Sequence, residues 1–228
     1  ALAGHGCWHA LLRTQGSLLM SNLRKTSPRN QPVQRRAQER RNQILEVTAE
    51  LLEEVGQDDL TTILVAKRAG VSVGTLYHYF PNKYAIMYAL AEQWVGEMDI
   101  ALQELEAESV ETLSLKRFVE HCVDRMRLVY VNQQGLLPLV QAMYGVPELE
   151  ELDLIHDELI IASMARMFER LDIETKPAEL RRLGRAYLEI THALLIVAVN
   201  QSPGDADKTL SDLKYLNLCL LERAKGQF

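Results

Sequence analysis

The stretch that decides the fold runs from Leu60 to Lys83 and is LTTILVAKRAGVSVGTLYHYFPNK. It predicts a short helix from about Thr62 to Ala69 and a second from about Val73 to Phe80. The tight connection Gly70-Val71-Ser72 joins them, and its glycine can adopt the positive φ that such a turn requires. Two short helices joined by three or four residues that include a glycine are typical of a helix-turn-helix.

The residue types in this stretch agree with two closely packed helices. Thr61 or Thr62 suits the N-cap of the first helix, because a hydroxyl accepts a hydrogen bond from an otherwise unpaired backbone N–H. Small or apolar residues stand where packing requires them, at Val65, Ala66, Ala69, Val71 and Leu76. The stretch therefore predicts a helix-turn-helix with its own small core.

Helical patterns continue on both sides of this motif. An apolar stripe at i, i+3, i+4 spacing predicts a helix from about Gln34 to Val55, which ends at Gly56. Pro81-Asn82 ends the third helix, and Lys83 begins a long helix to about Glu108. Further helices are predicted at about 114–132, 136–145, 148–172, 177–201 and 206–225.

These patterns predict an all-α protein in three parts. Residues 1–33 form a flexible leader, and Met20 is a candidate translation start, in which case residues 1–19 do not belong to the native product. Residues 34–82 form a three-helix, homeodomain-like head that contains the helix-turn-helix. Residues 83–228 form a larger helical body.

The charge is distributed unevenly between these parts. The net charge is -6, yet the segment from Arg24 to Lys83 holds ten Lys and Arg against seven Asp and Glu. Residues 84–228 hold fourteen basic residues against twenty-four acidic ones. A basic end on an acidic body favours contact with phosphates, although a solvated charged tail has the same composition.

Several protein classes do not fit the composition. No apolar run approaches the ~20 residues that span a bilayer, and Arg13 interrupts the apolar N-terminus, so we expect neither a membrane helix nor a signal peptide. Cys7, Cys122 and Cys219 lie far apart, which indicates neither a disulfide framework nor a metal cluster. We expect a cytoplasmic protein without a cofactor, a metal or a catalytic site.

The segment from Arg40 to Leu90 resembles the DNA-binding segment of the TetR/AcrR family of bacterial regulators. Its motifs are Ala-Gly-Val-Ser, Gly-Thr-Leu-Tyr and Phe-Pro-Asn-Lys, at the family's spacing and without a gap. The remainder of the chain shows only the family's general plan of length and helix count. The resemblance implies a homodimer that binds palindromic operator DNA and responds to a small molecule.

The resemblance also implies DNA contacts by particular side chains. Val73, Gly74 and Thr75 begin the recognition helix, the part that enters the major groove. Arg68 is either a phosphate contact or the partner of an acidic residue. The further candidate contacts are Thr62, Tyr77, His78, Tyr79, Lys83, Arg35 and Arg36, and the basic leader residues Arg24, Lys25 and Arg29 could follow the DNA backbone.

The last two helices are strongly apolar, and they predict the dimer interface. Two such helices from each subunit would form a four-helix interface, as in the family, although plain intramolecular core remains the alternative. The candidate interface residues are Leu188, Thr191, Leu195, Val199, Leu213, Leu216 and Leu220.

The middle helices carry the candidate effector pocket. Flexible methionines and amphipathic tyrosines beside a few polar groups suit a largely apolar small molecule. The candidate lining residues are Trp94, Met98, Met126, Tyr130, Met143, Tyr144, His156, Met164, Phe168, Tyr187 and His192. Such residues also form ordinary core, and the sequence does not show whether the three histidines His121, His156 and His192 meet.

The expected function is a transcriptional repressor that an effector releases from DNA, and three alternatives remain. Activation in place of repression is the first. A family-like adaptor whose head binds a protein partner is the second, because Ile63-Leu64 stands where relatives often carry polar residues that contact DNA. An all-helical enzyme is the third; it would use the run Glu150, Glu151, Asp153, His156, Asp157 and Glu158, or the pair Glu189 and His192.

Overall fold

The computed structural model describes residues 35–226, and within this range every regular element is helical. The helices are α1 (Arg35–Asp59), α2 (Thr62–Arg68), α3 (Val73–Tyr79), α4 (Lys83–Ala107), α5 (Leu115–Asn132), α6 (Leu136–Gly145), α7 (Glu150–Arg170), α8 (Pro177–Val199) and α9 (Pro203–Ala224). A 3-10 helix, Val110–Thr112, lies between α4 and α5. The predicted all-α class is confirmed, and the predicted leader lies outside the described residues.

Three polar side chains fix where the helices of the head begin. Thr61, Ser72 and Asn82 are the N-caps of α2, α3 and α4, and each accepts a hydrogen bond from the backbone N–H three residues later, at 3.1, 3.0 and 2.9 Å. Of the two predicted caps for α2, Thr61 is therefore the one that acts. Each cap satisfies a donor that the helix itself leaves unpaired.

Glycines with positive φ make the two turns of the head. Gly70 has a φ of 64° between α2 and α3, as the helix-turn-helix pattern requires. Gly56 has a φ of 74° inside the span of α1, so the regular part of that helix stops where the sequence predicted and one short turn follows it. Both turns orient α2 and α3 against α1.

An apolar core runs from the head into the body without interruption. In the head, Ile44, Leu60, Val65, Leu76 and Phe80 are fully buried. In the body, α8 packs between α7 and α9, and Gly184 allows a close approach because a Cβ there would lie 2.8 Å from the carbonyl oxygen of Ile161. The two parts therefore share one hydrophobic core.

The body contacts the head at the turn between α5 and α6. Gly135 makes this turn with a φ of 70°, and its N–H donates to Glu53 Oε1 of α1 at 2.7 Å. A Cβ at this glycine would lie 2.8 Å from the carbonyl oxygen of Ala49. The turn therefore lies directly against the backbone of α1. No helix of residues 35–226 is long and apolar enough to cross a membrane.

Candidate DNA-binding surface and effector site

The recognition helix α3 presents one face to solvent and one to the core. Leu76 and Phe80 are buried and anchor the helix in the head. Val73 and Tyr77 are 37% and 40% exposed, and the other exposed side of the helix carries Gly74, Thr75 and His78. We call these five residues the reading face; they are the predicted DNA contacts of α3 that are exposed.

Two further candidates of this region are partly engaged within the head. The hydroxyl of Thr62, at the start of α2, lies 3.1 Å from the hydroxyl of Tyr77 and links the two short helices. Tyr79 is half-buried and packs on the core, with its ring edge-on to His78 at 5.4 Å. A DNA contact by either Thr62 or Tyr79 stays a prediction.

Lys83 has a structural role that the sequence did not indicate. Its Nζ donates to the carbonyl oxygen of Gln57 at 2.9 Å and lies 3.4 Å from that of Asp58. Its ammonium group also lies 5.5 Å from the centre of the Tyr84 ring. The side chain therefore ties the start of α4 to the end of α1, and its predicted phosphate contact stays untested.

Arg68 forms an ion pair with an acidic residue of α1. Its two guanidinium nitrogens donate to the carboxylate oxygens of Glu54 at 2.8 and 2.7 Å. This bidentate hydrogen bonding lowers the pKa of Glu54 and raises that of Arg68. The structure thus contains the acid-paired alternative, while a phosphate contact by Arg68 stays a prediction.

The first turn of α1 and the start of α2 add exposed side chains to the same part of the molecule. Arg35 and Arg36 are exposed, and Arg35 pairs with Glu39, one helical turn away, at 2.9 Å. Ile63 is 67% exposed, which is unusual for so large an apolar side chain. The sequence did not mark Ile63 as a contact, although its unfavourable exposure is a signal that only a structure provides.

The body brings five predicted effector residues together, each from a different helix. They are Trp94 of α4, Tyr130 of α5, Tyr144 of α6, His156 of α7 and His192 of α8, and we call them the aromatic–histidine cluster. Trp94 stacks on His156 with 4.6 Å between ring centres, and the two histidine rings lie 5.7 Å apart. The question that the sequence left open is answered for these two histidines.

His192 lies at the centre of a hydrogen-bond chain within the cluster. Its Nδ1 is 2.6 Å from the hydroxyl of Tyr130, and its Nε2 is 3.0 Å from that of Tyr144. Burial and the neighbouring His156 lower the pKa of His192 to about 4, so the ring is neutral near pH 7. Burial also raises the pKa of both tyrosines, and the chain is therefore polar but uncharged.

The remaining effector candidates lie in the packed interior of the body. Phe168 packs edge-on against Tyr187 at 5.7 Å and against Phe118 at 6.2 Å, as ordinary core aromatics do. All of them are at most 2% exposed: Met98, Met126, Met143, Met164, Phe168 and Tyr187. Their role as pocket lining stays a prediction. His121 is apart from the cluster and pairs with Glu108 at 2.8 Å.

The predicted dimer residues divide into two groups. Leu188, Thr191, Leu195 and Leu213 are at most 3% exposed within the single chain, so their assignment to a surface between chains is corrected to the intramolecular core. Thr191 there accepts a hydrogen bond from Asn217 at 2.9 Å, across α8 and α9. Leu216 is 46% exposed, and Val199 and Leu220 are half-buried, so these three remain candidates.

The acidic run at the start of α7 is engaged mainly with arginines of α8. Asp157 lies 3.0 Å from Arg185, and Glu158 lies 2.7 Å from Arg181. Glu189 also contacts Arg185, at 3.5 Å. The pairs of Asp157 and Glu158 join α7 to α8, whereas the pair of Glu189 lies within α8. Across residues 35–226 there is no group of three His, Cys, Asp or Glu side chains placed to hold a metal ion.

Comparison with known families matches both parts of the chain. Residues 44–90 match bacterial regulatory proteins of the tetR family, and residues 114–221 match the tetracyclin repressor-like C-terminal domain. The chain belongs to the TetR family of bacterial regulatory proteins. The predicted resemblance is thereby confirmed, together with the helix-turn-helix head and the larger helical body.

Individual relatives are distant. The TetR-family chain is 26% identical over 133 residues to the HTH-type transcriptional regulator BetI 1 of Chromohalobacter salexigens. The matched residues make up 58% of this chain and 66% of that protein, so the match covers slightly less than two thirds of the relative's length. It is 26% identical over 175 residues to BetI of Klebsiella pneumoniae, or 75% of this chain and 88% of that one.

Solved structures of the family share the fold at still lower identity. A TetR-family regulator from Mesorhizobium loti superposes with a TM-score of 0.59 at 16% identity, over 84% of this chain and 97% of that one. PfmR, a TetR-family regulator from Thermus thermophilus, superposes with a TM-score of 0.56 at 23% identity, over 77% of this chain and 96% of that one. These similarities support the architecture alone, and the site residues rest on this chain's own geometry.

Proposed function

We propose that this TetR-family chain is a homodimeric repressor that binds palindromic operator DNA through α3 and is released by a small molecule bound in the body. The observation that carries the proposal is the reading face. Its residues lie along the exposed side of a short helix whose opposite face is held by Leu76 and Phe80. A helix held in this way can enter a major groove without rearranging the head.

Dimerisation follows from the small size of one head and from the exposed apolar side of α8 and α9. A single helix-turn-helix contacts few base pairs, so two heads related by a two-fold axis supply the specificity. Val197, Tyr215 and Leu216 are 44%, 66% and 46% exposed and lie on the last two helices. An apolar surface of this kind supports contact with a second copy of the chain.

The proposed switch connects the body to the head through α4. This helix begins at Lys83, which is bonded to the end of α1, and it reaches the aromatic–histidine cluster at Trp94. An effector that prefers one of two arrangements of α4 would change the separation of the two heads. A coupling of about 1–3 kcal/mol changes operator affinity by roughly 5- to 150-fold.

The test is selection of DNA sequences by the purified full chain, followed by titration of the selected duplex across salt concentrations. We expect a palindrome that binds as one dimer, with affinity that falls steeply as salt rises. Thr75→Ala should weaken binding by at least about tenfold, because one good base contact contributes about 1–3 kcal/mol. The matched control is Thr175→Ala, an exposed threonine in the turn before α8, which should bind as the parent does.

Three outcomes would contradict the proposal. Weak binding without sequence preference would favour the adaptor alternative, in which the head binds a protein. Specific binding that Thr75→Ala leaves unchanged would show that the reading face is not what contacts the bases. Full transcription from the selected promoter in the presence of the unliganded protein would favour activation over repression.

A further inference from the structure

Two buried polar atoms of the aromatic–histidine cluster lack a hydrogen-bond partner among the described residues. They are Nε1 of Trp94 and Nε2 of His156, whose side chains are 1% and 2% exposed. Buried polar atoms in folded proteins are nearly always paired, so each exception calls for an explanation. Here the two exceptions belong to rings that stack on each other, with 4.6 Å between ring centres, so the two unpaired atoms belong to neighbouring side chains.

The chemistry of the two atoms is complementary. The indole nitrogen of Trp94 can only donate. Nδ1 of His156 lies 3.7 Å from Oδ1 of Asp157, which favours the tautomer that carries its proton on Nδ1 and leaves Nε2 as an acceptor. A hydroxyl group both accepts and donates, and one ligand hydroxyl could therefore satisfy both atoms.

The surroundings of this pair define the rest of the ligand. The walls are the aromatic rings of Trp94 and Tyr130, which suit a flat apolar body. Tyr144 is 53% exposed, so the cluster reaches the surface at this residue.

Charge around the cluster disfavours an anion. Asp153 and Asp157 lie close enough to Tyr144 to raise its pKa, and Glu189 adds to the effect, after burial as the main cause. Arg185 is the basic residue that pairs with Asp157 there. A ligand that carries a carboxylate would therefore meet a surplus of negative charge.

We propose that the aromatic–histidine cluster binds an uncharged phenol, whose hydroxyl accepts from Trp94 Nε1 and donates to His156 Nε2. This inference rests on the proposed function, since it names the chemical class of the effector. The phenol ring would displace the side chain of Tyr144 from His192 and leave Tyr130 as the remaining partner of that histidine. Because Tyr144 lies on α6, which packs against α1 of the head, this displacement occurs next to the body's contact with the head.

The experiment is calorimetric titration of the full chain with phenol, 2-naphthol, their methyl ethers and benzoate. We expect saturable binding of at least one of the two hydroxyl compounds, at least tenfold weaker binding of its methyl ether, and no measurable binding of benzoate. The methyl ether keeps the ring and the acceptor oxygen but lacks the hydroxyl hydrogen that would be donated to Nε2 of His156. Equal binding of hydroxyl compound and ether, or preference for benzoate, would overturn the proposal.

A variant then ties the discrimination to the site. His156→Phe keeps a stacked ring on Trp94 but removes the acceptor Nε2. The hydroxyl compound and its methyl ether should then bind with about equal affinity. The matched control is His121→Phe, an exposed histidine outside the cluster, which should keep the full preference. If His156→Phe is too unstable to titrate, Trp94→Phe, which keeps an aromatic wall and loses the donor, should weaken the hydroxyl compound and its ether equally.

Binding and DNA release are measured separately, so that the two proposals can fail independently. Binding that requires His156 but leaves operator affinity unchanged supports the phenol site and contradicts its role as the effector site. Absence of saturable binding by phenol and 2-naphthol overturns the phenol site and leaves DNA binding by the reading face unaffected.

Discussion

The head and the body place the polar groups of their candidate sites in opposite environments. On the reading face, Thr75 and Tyr77 are exposed, and the caps that fix the helices, such as Ser72, are satisfied by nearby backbone. In the aromatic–histidine cluster, His156 and Trp94 are buried with unmet hydrogen bonds. The caps of the head thus have their hydrogen-bond partners within the chain, whereas the cluster in the body keeps two unpaired polar atoms to which a ligand could bind.

The two sites also differ in how the chain assembles them. The reading face comes from one helix of seven residues, and its geometry follows from local caps and one glycine turn. The cluster takes one side chain from each of five helices between Trp94 and His192. Local interactions therefore fix the first site, while the second depends on the packing of the whole body and can change when that packing shifts.

The largest expected effect concerns the place where the two regions meet. Gly135→Ala should lower the free energy of unfolding by about 3 kcal/mol, because the residue would need a positive φ and its Cβ would press on the carbonyl of Ala49. Urea unfolding measures the change. Since the turn lies against α1, operator affinity should fall as well.

Gly96→Ala is the matched control for this substitution. Gly96 lies in the middle of α4, is exposed, and has nothing within 4 Å of the position of a Cβ. Alanine should stabilise the helix there by up to about 1 kcal/mol, since it lowers the entropy of the unfolded chain. Equal effects of the two substitutions would mean that the turn between α5 and α6 is not seated on the head.

The next effect should appear only in the body and concerns pH. His192 has a pKa of about 4 in the folded protein against an ordinary value of 6.5, so between these values the unfolded chain binds more protons. The free energy of unfolding should therefore fall as pH decreases, by about 2 kcal/mol between pH 7 and pH 5 from this residue. His192→Gln should reduce this dependence, as measured by urea unfolding at the two pH values.

His78→Gln serves as the comparison from the head. His78 is exposed and lies on the reading face, so its substitution should leave the pH dependence of stability nearly unchanged. If both variants retained the full decrease, the buried imidazole of the cluster would not be its source.

The sequence predicted the helices of both regions closely, for a physical reason. The spacing of apolar residues and the signals at the two ends of a helix are both visible in the sequence. The helix predicted at about 148–172, for example, is observed as Glu150–Arg170. The reading face was predictable for the same reason, because caps, turn and exposed residues all lie within one short stretch. Its exposed residues could be named before any tertiary structure was known, and their contacts with DNA stay a prediction.

Other assignments depended on which side of a helix faces which neighbour. Leu195 and Leu213 lie on helices that are apolar over much of their surface, so periodicity did not separate the side that faces the core from the side that faces outward. Lys83 and Arg68 have partners in α1, about one helix away in sequence, which no local pattern records. The convergence of His156 with His192 is likewise a property of helix packing.

A smaller effect compares the same kind of cap in the two regions. Ser72 caps α3 in the head and Ser114 caps α5 in the body, each accepting from a backbone N–H three residues later, at 3.0 and 3.3 Å. Ser72→Ala and Ser114→Ala should each lower the free energy of unfolding by about 1 kcal/mol. Only Ser72→Ala should also weaken operator binding, because it loosens the start of the reading face. Equal DNA affinity of the two variants would contradict a preformed reading helix.

The smallest expected effect decides between the two roles of Arg68. If this residue contacts a phosphate, Arg68→Ala removes one such contact from each of the two heads and should reduce the slope of log affinity against log salt by about 1.8. If it serves only to hold Glu54, the slope should stay unchanged, and Glu54→Gln should affect stability as much as Arg68→Ala does. Titration of the selected operator at several salt concentrations measures the slope for all three proteins. Because Arg68 is exposed on the head beside α3, an intermediate result has a direct structural meaning: the guanidinium would exchange Glu54 for phosphate when DNA binds, and Glu54→Gln would then raise the affinity for DNA.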